Sequence, residues 1–90
     1  MFDLHNTALQ EIQHGCRAEY GPLELRIQTT SSVNRFMVFV EDPRLEPRTV
    51  YEQSLQSPLE SAKEYVVLRA HEYLNSYQQT ARCEANWRCS

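Results

Sequence analysis

The stretch SPLESAKEYVVLRAHEYLNSY, residues 57–77, decides the fold that the sequence predicts. Ser57 is a candidate N-cap residue, Pro58 suits the first helical position, and Glu60 completes a Ser-x-x-Glu capping box. Apolar residues then recur at steps of three and four, the spacing of one buried helical face. They are Leu59, Ala62, Val66, Ala70, Tyr73 and Tyr77. The stretch therefore predicts a long amphipathic helix that packs on a core.

Three short runs before this helix have the period of β-strands. Residues 23–30 alternate apolar and polar side chains, and residues 35–41 are apolar on both faces. Residues 48–55 form a weaker third run, after a connection in which Pro43 and Pro47 exclude a hydrogen-bonded ladder. We expect the second run to be the central strand of an antiparallel sheet and the third run to be an edge.

Both faces of the second run are apolar, and a single helix can cover only one of them. If Phe36 and its neighbours face the long helix, Met37 and Phe39 point away from it. An exposed apolar patch of this kind needs a cover. The candidates are an N-terminal helix, the C-terminal tail and a partner molecule.

The two ends of the chain complete the predicted fold. Leu9, Ile12 and Cys16 lie on one helical face after a weak capping box at Thr7, which predicts a short helix over residues 7–16. Residues 78–90 form a helix extension or a tail, in which Trp87 either packs back onto the body or binds a partner. The prediction is a single α+β domain over residues 1–90, with its core at about 7–77. Its architecture is a three-stranded antiparallel sheet packed by a long C-terminal helix, with a short N-terminal helix.

Composition limits the classes of function. The 90 residues carry a net charge of −3, which argues against a broad nucleic-acid or membrane-binding surface. No secretory signal follows Met1 and no apolar run approaches the ~20 residues of a membrane helix, so the cytoplasm is expected. Cys16, Cys83 and Cys89 make an odd number, which predicts free thiols, with a Cys83–Cys89 bridge as the alternative.

No arrangement of residues predicts catalysis, a metal site or a cofactor. His14 and Cys16 could join Cys83 and Cys89 at a zinc ion, but the spacing is not that of a zinc site. Only two glycines occur, so no phosphate-binding loop is expected. We expect a protein that binds and does not catalyse.

The order helix, three strands, helix resembles that of the double-stranded-RNA-binding domain, over about residues 7–77. In that family, basic residues at the start of the second helix meet RNA phosphates. Ala62 and Lys63 match the family pattern there, so the resemblance implies that Lys63 is a contact. The strands and the helix start at residues 57–62 are also similar, more weakly, to HicB-type antitoxins.

Two functions from different classes remain. The first is a protein-interaction or homodimerisation module, with the following candidate contacts: Met37, Phe39, Tyr65, Leu68 and Trp87. The second is nucleic-acid binding, which the net charge disfavours, through a local basic patch: Arg26, Arg35, Arg44, Arg48 and Lys63, with Arg82 and Arg88 in the tail. The expected partner is a protein, either a second copy or another chain, and no membrane.

Overall fold

The computed structural model describes residues 15–76 and 84–89, which form one antiparallel sheet and one helix. The elements in chain order are β1 (Cys16–Tyr20), β2 (Leu23–Thr29), β3 (Arg35–Glu41), β4 (Thr49–Gln56), α1 (Leu59–Ser76) and β5 (Arg88–Cys89). The five strands lie in the order β4-β3-β2-β1-β5, so each strand from β1 to β4 pairs with its neighbour in sequence. The short β5 returns from the far end of the chain to pair with β1.

The prediction of a three-stranded sheet with an N-terminal helix is wrong, because β1 and β5 extend the sheet to five strands. Residues 7–14 of the predicted helix lie outside the described residues, and Cys16, its predicted last residue, begins β1. Side chains in β1 alternate between buried and exposed, with Ala18 and Tyr20 on the buried side. Pairing with β2 buries these residues on the sheet. This burial stabilises a strand at Cys16 more than the helical spacing of the apolar residues before it favours a helix.

The other elements lie where the sequence placed them. β2, β3 and β4 match the three predicted runs within one residue, and β4 is an edge of the sheet as expected. The central strand of the five is β2, however, and not β3, which lies between β4 and β2. The helix begins at Leu59, directly after Pro58, whose carbonyl accepts the backbone N–H of Ala62 at 3.1 Å. Its fully buried residues are Ala62, Val66, Ala70 and Leu74.

The hydrophobic core lies between α1 and one face of the sheet. The inward residues of the central strands are almost completely inaccessible, as in Leu25, Ile27, Val38 and Val40. Small residues on the helix, such as Ala62 and Ala70, let the helix backbone approach this layer closely. The core therefore uses one face of the sheet and leaves the other to different contacts.

A disulfide bond between Cys16 and Cys89 joins β1 to β5. The prediction of free thiols is therefore wrong for these two residues, and the Cys83–Cys89 alternative is wrong because Cys89 already has a partner. Cys83 itself lies outside the described residues. The sequence separation of 73 residues between the bonded cysteines explains why local spacing did not reveal the pair.

The β3–β4 loop is fixed to the helix by the buried carboxylate of Asp42. This carboxylate accepts hydrogen bonds from Arg44 Nε at 2.8 Å, from Arg44 N–H at 3.1 Å and from the hydroxyl of Tyr73 at 3.0 Å. These donors stabilise the ionised form, the Arg44 side chain most strongly, and outweigh the effect of burial. They lower the pKa of Asp42 to about 2.

Candidate interaction surface

The face of the sheet turned away from α1 is the candidate site, and we call it the outer face. Because strand side chains alternate, every second residue of β1 to β4 points to this side. No helix or strand within residues 15–76 and 84–89 is stacked on it. Its central residues are Arg17, Glu19, Glu24, Arg26, Gln28, Met37, Phe39, Glu41, Glu52, Ser54 and Arg88.

Charged side chains of the same sign form rows on the outer face, and these rows cross the strands. Arg88 of β5 lies opposite Arg17 of β1, which lies opposite Arg26 of β2. We call these three residues the arginine row. Two positions further along, Glu19 lies opposite Glu24, which lies opposite Glu41; these form the glutamate row. The strand register therefore brings together charges that are far apart in sequence.

Phe39 and Met37 supply the apolar part of the outer face. The guanidinium carbon of Arg26 lies 4.1 Å from the centre of the Phe39 ring, which is a cation–π contact. Arg26 also binds Glu41 at 3.3 Å. Both Met37 and Phe39 are half-buried among such neighbours. The result is a mixed surface in which an aromatic ring is flanked by charges of both signs.

The five basic residues predicted for nucleic-acid binding do not form one patch. Arg26 and Arg35 lie on the outer face, where Arg35 donates to Gln56 Oε1 at 3.0 Å and Ser54 Oγ at 3.3 Å. Arg48 borders the same face and binds Glu24 at 3.2 Å.

The other two basic residues lie elsewhere. Arg44 is bound to Asp42 in the β3–β4 loop. Lys63 lies on α1, on the opposite side of the sheet, and binds Glu60 at 3.1 Å.

Tyr65 belongs to a hydrogen-bonded cluster between α1 and the edge strand β4. Its hydroxyl lies 2.8 Å from that of Tyr51, lies 3.1 Å from Gln53 Oε1 and accepts a bond from Arg69 Nε at 3.1 Å. The bond with Tyr51, followed by that with Arg69, lowers the pKa of the Tyr65 phenol, while burial raises the pKa of Tyr51. The cluster holds the edge strand to the helix, because it bonds side chains from both elements.

Leu68 and Trp87 lie on the helix side, away from Met37 and Phe39. Leu68 is 50% exposed on α1, whereas Trp87 packs partly buried against the core. Trp87 also borders a groove of about 430 Å³ between α1 and the C-terminal segment, next to Lys63 and Val67. The five predicted contact residues therefore occupy separate surfaces, and only Met37 and Phe39 share the outer face.

Sequence reasoning did not place Arg17 and Glu19 on the outer face, because it did not predict β1. A signal was present in the run Cys16-Arg-Ala-Glu-Tyr20, which alternates apolar and charged side chains over five residues. Period-two alternation next to the Gly21-Pro22 turn is typical of a hairpin strand. Arg88 was visible as a tail cation, but its position beside Arg17 follows only from the pairing of β5 with β1.

The described residues offer no group of three side chains placed to hold a metal ion. Of the thiols considered for zinc, Cys16 and Cys89 are bonded to each other. The helix is also not apolar and long enough to cross a membrane, and it is the only helix in residues 15–76 and 84–89. Comparisons of the chain with protein-family models, curated proteins and solved structures gave no match.

Proposed function

We propose that this chain is a protein-interaction module without catalytic activity, and that the outer face of its sheet is the docking surface. The observation that carries the proposal is a sheet face that no helix or strand in residues 15–76 and 84–89 covers, and on which Met37 and Phe39 lie among charges of both signs. Aromatic residues, methionine and arginine are the residue types that interfaces favour. A surface of mixed charge suits a protein partner better than a polyanion, which needs positive charge over a wide area.

Site-specific photocrosslinking tests this proposal. p-Benzoylphenylalanine in place of Phe39 reports what touches the outer face in cell extract, and the same substitution at Leu68, on the helix, is the matched control. We expect protein adducts from position 39 and none from position 68. Adducts from position 68 alone, or no protein adducts from position 39, would refute the outer face as the docking surface.

A substitution separates binding from folding at the same site. Phe39→Ser removes the apolar contact of the outer face, whereas Val38→Ser places a hydroxyl in the inaccessible core. We expect Phe39→Ser to weaken partner binding with little change in thermal stability. Val38→Ser should lower the melting temperature sharply, because an unpaired buried hydroxyl costs roughly 1–3 kcal/mol in addition to the lost packing.

The arginine row favours a second candidate function, binding of a nucleic acid. Arg88, Arg17 and Arg26 lie side by side, and Arg26 contacts the Phe39 ring. Arginine with an aromatic ring is a known combination for binding single strands. Affinity for a fluorescent oligonucleotide, measured over a range of salt, tests it. Phosphate contacts would make the affinity fall steeply with salt, and binding that is absent or flat with salt would exclude this function.

The disulfide bond bears on the compartment in which the protein acts. The sequence predicted the cytoplasm, yet disulfides persist mainly in oxidising environments. We therefore infer that the working form with the Cys16–Cys89 bond is found in an oxidising compartment. Alkylation of free thiols at the moment of cell lysis, followed by mass spectrometry, measures the bonded fraction. A fully alkylated Cys16 would restore the cytoplasmic prediction.

A further inference from the structure

The outer face carries like charges in direct opposition across its strands. Arg17 faces both Arg26 and Arg88 across the strands, and Glu19 faces Glu24. Like charges at directly opposed positions of a sheet are destabilising. Ion pairs within the chain offset part of this cost, and charges of opposite sign brought onto the rows from outside would offset the rest.

The unpaired charges are concentrated at the β1 side of the face. Arg26 is bound to Glu41, and Glu24 is bound to Arg48. Within residues 15–76 and 84–89, by contrast, no ion pair engages Arg17, Glu19 or Arg88, and all three are exposed. A partner that satisfies them must offer a carboxylate to Arg17 and a cation to Glu19, at positions about 7 Å apart, which is two residues along a strand.

This chain itself presents such a pattern. The arginine row and the glutamate row run parallel across the strands and are separated by two residues. A two-fold axis that lies between two facing copies, parallel to the sheets, perpendicular to the strands and midway between the rows, stacks each strand on the same strand of the other copy. It places Arg17 and Arg26 over glutamates of the second copy, while Arg88 and Glu41 remain outside these contacts. Arg17 then meets Glu19 of the second copy and Arg26 meets Glu24, each contact occurring twice, as in any isologous interface.

We propose that the partner of the outer face is a second copy of this chain, docked face to face with arginine row on glutamate row. The inference rests on the proposed function and names its partner. Arginine suits these contacts because its planar guanidinium binds carboxylates with two parallel hydrogen bonds. The stacked pair of Phe39 and Arg26 lies inside the covered area and adds apolar contact.

Charge reversal with mixing tests the arrangement. The variants are Arg17→Glu, Glu19→Arg and the double reversal, and Glu64→Arg on the exposed side of α1 is the matched control. Sedimentation velocity at about 0.1 M salt measures association, and a repeat at about 1 M, where the Debye length falls to ~3 Å, measures its electrostatic part. Circular dichroism confirms that each variant is folded.

We expect the wild type and Glu64→Arg to form dimers that weaken at high salt. Each single reversal should weaken the dimer at least about tenfold, which corresponds to ~1.4 kcal/mol. The two single variants mixed in equal amounts should form a heterodimer, because one now carries two glutamates where the other carries two arginines. The double reversal should dimerise again, with the two charges exchanged.

Several outcomes would overturn the inference, and they are distinguishable from failure of the proposed function. A wild-type protein that stays monomeric, or single variants that do not associate when mixed, would exclude this dimer. If the photocrosslinker at position 39 then reaches a different protein, the interaction module stands and only its partner changes. If it reaches no protein, the proposed function fails as well.

Discussion

Loss of the Cys16–Cys89 bond is the perturbation whose magnitude follows most directly from the structure. Cys89 is exposed in the two-residue strand β5, so Cys89→Ser removes few packing contacts beyond the bond itself. The bond joins residues 73 positions apart. In the chain-entropy model a closed loop of that length stabilises the folded state by about 4.4 kcal/mol at 25 °C, by restricting the unfolded chain.

A loss of this size is a large part of the stability of a small domain, which is ~5–15 kcal/mol. Urea unfolding followed by tryptophan fluorescence is the assay, because Trp87 is the only tryptophan and lies two residues from Cys89. We expect Cys89→Ser to lower the urea midpoint strongly, and a reducing agent to lower that of the wild type by a similar amount. Reduction should leave Cys89→Ser unchanged.

The matched control is Cys83→Ser, which removes the third cysteine and leaves the bond intact. It should unfold at the wild-type midpoint. Two results would refute the reasoning: a wild type that reduction does not destabilise, or a Cys83→Ser variant that behaves like Cys89→Ser. The second result would mean that Cys83 and not Cys16 is the partner of Cys89.

Three further predictions concern the sheet and its loop. Gly15 has a φ of 81°, and a Cβ there would lie 2.0 Å from the carbonyl oxygen of Ile27. Gly15→Ala should therefore lower the free energy of unfolding, measured in urea, by at least ~1–2 kcal/mol. Val38 is completely inaccessible, so Val38→Ala should lower the free energy of unfolding by about 2–3 kcal/mol in the same assay. The slope of the unfolding free energy against urea concentration should not change. The pKa of Asp42 is lowered to about 2 in the folded state, chiefly by Arg44. Its carboxylate therefore stabilises the fold above the unfolded pKa near 3.8, and this contribution disappears as pH falls from about 4 to about 2. Asp42→Asn should flatten that part of the curve of unfolding free energy against pH, and an identical curve for both proteins would contradict the assignment.

Strands and the long helix were predictable where the pattern is local. The alternation in residues 23–30 lies within one element, and β2 formed there. The long helix also formed where expected, but the Ser57 hydroxyl donates to the carbonyl of Pro58 at 3.1 Å, which is not the predicted capping box. The burial of Val66 and Ala70 follows from the same helical spacing. Such patterns are readable because one face of an element must be apolar wherever it packs on a core.

The candidate site was only partly predictable, since Arg17, Glu19 and Arg88 lie on strands that the sequence did not reveal. Met37 and Phe39 were recognised from the two-sided apolar run of β3. Arg17 was not, because the helical spacing of Leu9, Ile12 and Cys16 led to a helix where β1 begins.

The sequence by itself determined β2, β3, β4 and α1, the edge position of β4 and the presence of Met37 and Phe39 on the sheet face that the helix does not cover. Only the tertiary structure decided that Cys16 bonds Cys89, that β5 pairs with β1, and that arginines from three strands form one row. The physical reason is the distance along the sequence over which each feature is determined. Helical and strand periodicity are properties of a few neighbouring residues, whereas register and disulfide pairing depend on which distant segments meet when the apolar faces are buried together.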